Sequence, residues 1–355
     1  MKNIRLTASA LFITLGAASL PQARAVSFQL LGGVGNDAYS EPYGGISGDG
    51  STVVGYSRTS STSGTNRAWK WTAAGGLVQI TAFQVAQGAS YNGSFIIGST
   101  GTSGYLLSPS GTTALPGTPS MITNDGSVVV GTTGDVGYRW SSSGTTLIPV
   151  ITGAYSPAVG VSNDGSIVVG QAKSALNNYI AFKWTEATGT VAITTGVGAA
   201  SNSAGNAVSD DGSVIAGYTL VGGNGCPAYW TAATGWQPTA VSSSFGTAND
   251  ITPDGRFIVG GDGGGAFIWD AIHGERYIKN ILTADGVNVG SLSLSNATGI
   301  SDDGNVITGE TNSGGAIVPW VANIGVPEPA SLGLLAPALL LGLRQTRRAR
   351  HRAGW

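Results

Sequence analysis

Cysteine is almost absent from this chain: Cys226 is the only one in 355 residues, which excludes an intrachain disulfide and any metal site built on a cysteine cluster. Histidine is nearly as scarce, with His273 and His351 alone. Charged residues supply 10% of the chain against a usual ~25%, too few for a solvated, Lys/Glu-rich helical protein. No Gly-x-Ser-x-Gly elbow occurs, so the nucleophile of an α/β-hydrolase has no place. Glycine, in contrast, supplies 57 residues. Each one inside a helix costs about 1 kcal/mol relative to Ala, which disfavours long helices. With 41% hydrophobic residues a core can still be built. The composition predicts an all-β protein with many turns.

Charge is distributed unevenly. Lys2, Arg5, Arg24, Arg344, Arg347, Arg348, Arg350 and Arg352 are terminal, whereas all 19 acidic residues fall between Asp37 and Glu328, a stretch of net charge −10. An acidic body without a Lys/Arg cluster repels phosphate backbones, so nucleic acid is not an expected partner.

The two ends read as addresses. In residues 1–25, Lys2 and Arg5 precede the apolar run Leu6 to Leu20, and Ala23-Arg24-Ala25 offers small residues at the cleavage positions. That is the pattern of a secretory signal, with Ala23 and Ala25 as the signal-peptidase site and Val26 as the mature start. Export machinery and signal peptidase are the partners this implies. At the other end, residues 326–355 contain Pro327-Glu328-Pro329, an apolar run from Ala330 to Leu343, and an arginine cluster. The run is short for a bilayer span of roughly 20 residues. The arginines that come after it would stay cytoplasmic and give a marginal, transient anchor in the inner membrane.

Those three parts, in that order, resemble the PEP-CTERM sorting tail. The resemblance covers only residues 326–355. It implies processing by an exosortase, a membrane transpeptidase-like enzyme of Gram-negative bacteria that make exopolysaccharide. Pro327, Glu328, Pro329, Arg344, Arg347, Arg348 and Arg350 would form the sorting motif, on a short hydrophobic helix.

Between the ends, over residues 26–325, one unit recurs. Its clearest copy is Ile122–Gly131, repeated at Ile46–Gly55, Ala89–Gly98, Val161–Gly170, Val208–Gly217, Ile251–Gly260 and Ile300–Gly309. The turn glycines Gly50, Gly93, Gly126, Gly165, Gly212, Gly255 and Gly304 are 33 to 49 residues apart, about 42 on average. Ser, Asp and Gly at the first, third and fourth positions predict a type I turn ending in a left-handed glycine. Asp49, Asp125, Asp164, Asp211, Asp254 and Asp303 occupy the third position, where Asp caps its own backbone. A buried apolar strand comes next, then an aromatic strand such as Phe182-Lys-Trp184, then a short closing strand.

Four strands per ~42 residues are the dimensions of a propeller blade, and seven copies predict a seven-bladed β-propeller. The last unit ends at its third strand near Trp320, and an orphan strand, Ser27 to Leu31, precedes the first. The ring closes if that orphan completes blade seven, which removes exposed sheet edges. Pro319 interrupts the third strand of blade seven and is expected at a bulge. The copies also resemble HAF-type extracellular repeats, best at Val161–Gly170 with Ala181-Phe-Lys-Trp184 and at Ile251–Gly260 with Ala266-Phe-Ile-Trp269. That family carries no settled activity, so no catalytic residue is implied.

Candidates for chemistry are few. His273 reads as a surface loop residue, and nothing points to a Ser-His-Asp set around it. Asp210 and Asp302 add a second acid to two turns, but two carboxylates fall short of the six or more ligands of a calcium loop, and no metal or cofactor is expected. Gly261–Ala266 fits Gly-x-Gly-x-x-Ala, yet it precedes a strand and reads as a flexible connector. Six tryptophans at the repeated third-strand position read as blade-to-blade packing. Trp236, outside that series, is the residue freest to stack on a ligand. The expectation is a non-enzymatic surface or matrix protein with a structural, adhesive or exopolysaccharide-associated role. The alternatives are a carbohydrate-active propeller enzyme, with paired carboxylates converging across blades, or a lectin-like module.

Overall fold

The repeat unit becomes one sheet each time it occurs. The computed structural model describes residues 25–325 apart from 61–63, 152–154, 174–177, 197–201, 241–244 and 314–315. The expected leader with Ala23, and the sorting tail with Pro327, Glu328, Pro329, Arg344, Arg347, Arg348 and Arg350, lie outside the described residues. Seven four-stranded antiparallel meanders succeed one another. Blades one to six span residues 39–79, 85–115, 118–147, 158–192, 203–238 and 247–277. Blade seven takes three strands from residues 293–323 and its fourth from Ser27–Leu30. That strand runs antiparallel to Ala316–Asn323, with Phe28 opposite Ala322 and Leu30 opposite Trp320. The protein is an all-β, seven-bladed propeller closed by its N-terminal strand.

Packing closes the same ring. Seven buried hydrophobic clusters each join two consecutive blades, the last uniting Ile46, Val53, Trp69 and Trp71 of blade one with Val306 and Val321 of blade seven. The glycine that ends each copy lies in the second strand of its blade, beneath an aromatic ring. A Cβ at Gly309 would stand 2.4 Å from the Trp320 ring and 2.1 Å from the Asn296 carbonyl oxygen. Trp69, Phe83, Tyr138, Phe182 and Phe267 fill the equivalent place over Gly55, Gly98, Gly131, Gly170 and Gly260.

Blade five departs from this, and the departure corrects an expectation. Opposite Gly217 stands Ala228, and the ring over the glycine comes from Trp236 on the fourth strand. Trp236 is fully buried. It replaces the missing third-strand aromatic and is not available to a ligand. Among the third-strand tryptophans, Trp71, Trp184 and Trp320 are buried, and Trp140, Trp230 and Trp269 pack half-buried against the clusters.

Two further expectations change. Pro319 sits in unbroken register opposite Glu310, with no bulge. Its carbonyl accepts from the Leu31 N–H at 2.8 Å, so the donor that proline lacks faces the end of the closing strand, where little pairing is lost. Gly261–Ala266 is a tight hairpin and not a connector: Asp262 pairs with Gly265, and the Asp262 side chain accepts from the Gly264 N–H at 2.9 Å. The longest spacing between copies, before blade seven, accommodates the helix Ile278–Ala284, which buries Ile278 and Leu282. Among the described residues no helix is long and apolar enough to cross a membrane.

Candidate functional site

The seven turns share one geometry. In each, the turn glycine has φ between 65° and 75° and donates to the carbonyl of the first turn residue at 2.8–2.9 Å. In the six turns that carry an aspartate, its Oδ1 accepts from the first-position hydroxyl, as from Ser162 to Asp164 at 2.6 Å. The same oxygen accepts the backbone N–H two residues on, as from Ser127 to Asp125 at 2.9 Å. The hydroxyl in turn accepts a backbone N–H five residues ahead, as from Val306 to Ser301 at 2.9 Å. Asp49, Asp211, Asp254 and Asp303 do likewise, and Asn92 stands in for them in blade two. The Thr123 and Ser162 hydroxyls hold Asp125 and Asp164 below the usual carboxylate range, and the Ser213 N–H does so for Asp211. The repeated acids are thus spent inside their own turns.

A second recurring feature lies just upstream, on the innermost strand of each blade. All seven first strands break register with a bulge. A bulge re-aims side chains, and here it brings them to a central cavity of about 770 Å³ lined by all seven blades. Gln87, Asn206, Asn249 and Thr298 belong to its wall. Asn206 ties blade five to six through the Ala248 carbonyl at 2.8 Å, and Asn249 ties six to seven through the Ala297 carbonyl at 2.8 Å.

One end of the cavity is drawn in by the turns. The second residues of six of them, Gly48, Asn124, Asn163, Asp210, Pro253 and Asp302, line it. Backbone bonds link neighbouring turns, from the Asp302 N–H to the Gly48 carbonyl and from the Asp210 N–H to the Pro253 carbonyl, both 2.8 Å. The Asn124 amide crosses from blade three to the Asp302 carboxylate of blade seven at 2.5 Å. Asp210 and Asp302, the second acids of the Asp-Asp-Gly turns, therefore face the axis, unlike Asp211 and Asp303 beside them.

Asp250 is the acid that the repeat pattern does not announce. It lies next to the bulge of blade six, where its two oxygens accept the N–H of Ile251 and the N–H of Ile300 in blade seven, both at 2.9 Å. Burial raises its pKa to about 7 against the pull of those two bonds, and the charge of Asp302 adds to the rise. Asp302 is itself raised by burial, which the Asn124 bond opposes and the charges of Asp210, Asp303 and Asp49 reinforce. Towards the other end, Glu41 accepts from the hydroxyls of Tyr39 and Tyr56, the latter at 2.6 Å. Glu310 is raised by burial and by the charge of Glu41. The lining thus holds Glu41, Asp210, Asp250, Asp302 and Glu310 with no Lys, Arg or His. Arg58, which stacks on Tyr39 at 4.3 Å, is outside the lining. Among the described residues no three His, Cys, Asp or Glu side chains are grouped to hold a metal ion. The cavity is a polar, electronegative site with one carboxyl poised to exchange a proton near neutral pH.

The remaining candidates stay apart from it. His273 is 57% exposed in the loop after the third strand of blade six and bonds Asp270 at 2.9 Å. Arg276 takes the other Asp270 oxygen at 2.6 Å. Burial pushes the Asp270 carboxyl up, but the bonds from His273, Ile272 and Arg276 leave it below its ordinary value. The signal for Asp250 is present in the sequence once the copies are aligned on the turn glycine. Five residues earlier stand Gly45, Gly88, Met121, Gly160, Ala207, Asp250 and Gly299, and the one acid in that row is the buried one.

No protein-family model matches the sequence, and no curated protein matches it. Solved structures match in fold. TolB from Acinetobacter baumannii is 14% identical over 63% of this chain, with a TM-score of 0.45, and the chain spans 62% of its length. A protein assigned as TolB from Agrobacterium tumefaciens is 14% identical over 57% of this chain and 74% of its own, with a TM-score of 0.42. The β-propeller domain of the Trilobed protease from Pyrococcus furiosus, of open velcro topology, is 12% identical over 65% and 81%, with a TM-score of 0.49. These likenesses carry no functional argument.

Proposed function

We propose that the chain is an exported propeller of the bacterial cell surface or extracellular matrix, with a structural, adhesive or exopolysaccharide-associated role and no catalysis of its own. The observation that carries this is the joint presence of a leader ending at Ala23-Arg24-Ala25 and a tail of Pro327-Glu328-Pro329, apolar run and arginines. Signal peptidase removes the first, and an exosortase reads the second after transient anchoring in the inner membrane. The body supports the reading in two ways. Ring closure uses only strands between Ser27 and Asn323, so both addresses can be removed without opening it. The acids that recur through the repeat are engaged in turns. Deleting residues 330–355 should move the protein from the surface to the medium or periplasm. Unchanged surface retention on cell fractionation would sink the proposal.

A second reading, a carbohydrate-active enzyme, is favoured by one observation: Asp250, raised to about 7, near the carboxylate of Asp302. A protonated and an ionised carboxyl are the pair that glycoside hydrolysis requires. New reducing ends from host polysaccharide, lost in Asp250→Asn, would establish that reading. Their absence with the intact protein would dismiss it.

A further inference from the structure

The cavity wall has an imbalance of charge. Three of its amides donate within the protein: Asn124 to Asp302, Asn206 to Thr247 and Ala248, and Asn249 to Asn296 and Ala297. Its acids meet only neutral donors: the Tyr39 and Tyr56 hydroxyls at Glu41, the Asn163 N–H at Asp210, two backbone N–H groups at Asp250, the Asn124 amide at Asp302 and the Asn296 amide at Glu310. Five carboxylates line the space with no basic residue among them, and an ionised carboxylate can only accept. Gln87 adds an independent sign. It belongs to the same wall, is 6% exposed, and its amide oxygen has no hydrogen-bond partner. A buried acceptor without a donor is costly to maintain, and a donor supplied from the cavity removes that cost.

The arrangement also limits what the donor can be. The carboxylates fall into two groups, with Asp210, Asp250 and Asp302 at the turn end and Glu41 and Glu310 nearer the other. Asn296, the register partner of Glu310, and Ile300, whose N–H Asp250 holds, are four residues apart on one strand, roughly 13 Å of extended chain. A single metal ion cannot serve both groups, and no grouping of three ligands is present among the described residues. A ligand that serves both carries cationic donors separated along its length. The cavity, about 770 Å³, is within the range that holds small organic molecules.

We propose that the central channel is a binding site for a linear aliphatic oligoamine, one terminal ammonium donating to the acids at the turn end, another to Glu41 and Glu310, and an N–H to the Gln87 amide oxygen. The neighbouring negative charges that oppose one another along the wall are relieved together when such a chain enters. This holds wherever the protein resides, and it needs no covalent step.

Titrating the full-length chain with spermine by calorimetry tests it, with butylamine, magnesium and an oligolysine peptide as comparison ligands. The expected result is saturable one-to-one binding of spermine, at least a hundredfold tighter than butylamine. Glu310→Gln and Gln87→Leu should each weaken it tenfold or more, while Glu186→Gln, an equal charge change on an exposed turn, leaves it intact. Thermal stabilisation of the unaltered protein by spermine and not by butylamine gives the same answer if a variant does not fold. The proposal is overturned by no saturable binding, by equal loss in Glu186→Gln, by magnesium displacing spermine stoichiometrically, or by binding of the peptide alone.

Discussion

Asp302 and Asp303 are neighbours in the chain but belong to different rows of acids. Asp303 stands in the repeated turn slot, where it takes a hydroxyl and a backbone N–H of its own turn. Asp302 occupies a place where other copies carry Gly, Tyr, Asn, Asp or Pro, and its carboxylate reaches across the axis to blade three. The same contrast separates Asp211 from Asp210 and Asp254 from Asp250. The resolved shifts run in opposite directions, with Asp125, Asp164 and Asp211 lowered by local donors and Asp250 and Asp302 raised by burial. In a repeat protein, what recurs is what the fold needs. A polar residue that breaks the repeat and still faces the interior is the one to question.

Trp236 sets the limit of that rule, and gives the largest expected effect. It departs from the repeat, yet it fills the space over Gly217 that a third-strand ring fills in five of the other blades. Trp236→Ala should cost about 3–5 kcal/mol of stability, read as a drop in Tm, with binding at the channel preserved in the folded fraction. A loss of binding without a loss of stability would place this residue with the channel after all.

The next effect distinguishes the rows by pH. A folded pKa of about 7 for Asp250 lies above the unfolded value of ~3.9. The folded state therefore keeps a proton that the unfolded state releases, and stability falls as pH rises from ~4 to ~7, by up to about 1.4 kcal/mol per unit. The turn aspartates act the other way, because their lowered values contribute stability above ~3.9 that is lost as pH falls through the folded value. Denaturant titrations of Asp250→Asn should show a flatter decline between pH 5 and 7 than the unaltered protein. An unchanged slope would remove Asp250 from the channel row.

The smallest effect belongs to a single turn. Asp125→Ala removes two hydrogen bonds at an exposed site and should cost about 1 kcal/mol, with no change in spermine affinity measured by calorimetry. A large change in affinity would blur the distinction between the rows.

The ring was legible in the sequence because its signals are local. Ser, Asp and Gly at fixed offsets determine a turn, and the runs Val128 to Val130 and Phe182 to Trp184 determine the second and third strands of their blades. The N-terminal closing strand could be placed because one blade lacked a fourth strand and one strand lacked a blade. The channel was not legible in the same way. Its wall depends on bulges that no propensity marks, and on register shifts of one residue that decide whether Gln87 or Asp250 meets the axis. Trp236 misled because a ring can reach one site from either of two strands, and spacing does not say which. Pro319 misled because a missing donor matters only where a partner strand continues.

The joining of Ser27–Leu30 to Ala316–Asn323 has a mechanical consequence. Tension applied beyond Ile324 is transmitted first to a strand held on both sides, by Val306–Ser313 and by Ser27–Leu30. The load is therefore spread in shear over two ladders, where a terminal edge strand would peel from one. A protein tethered by its C-terminal side would resist drag with the best-braced strand of its last blade.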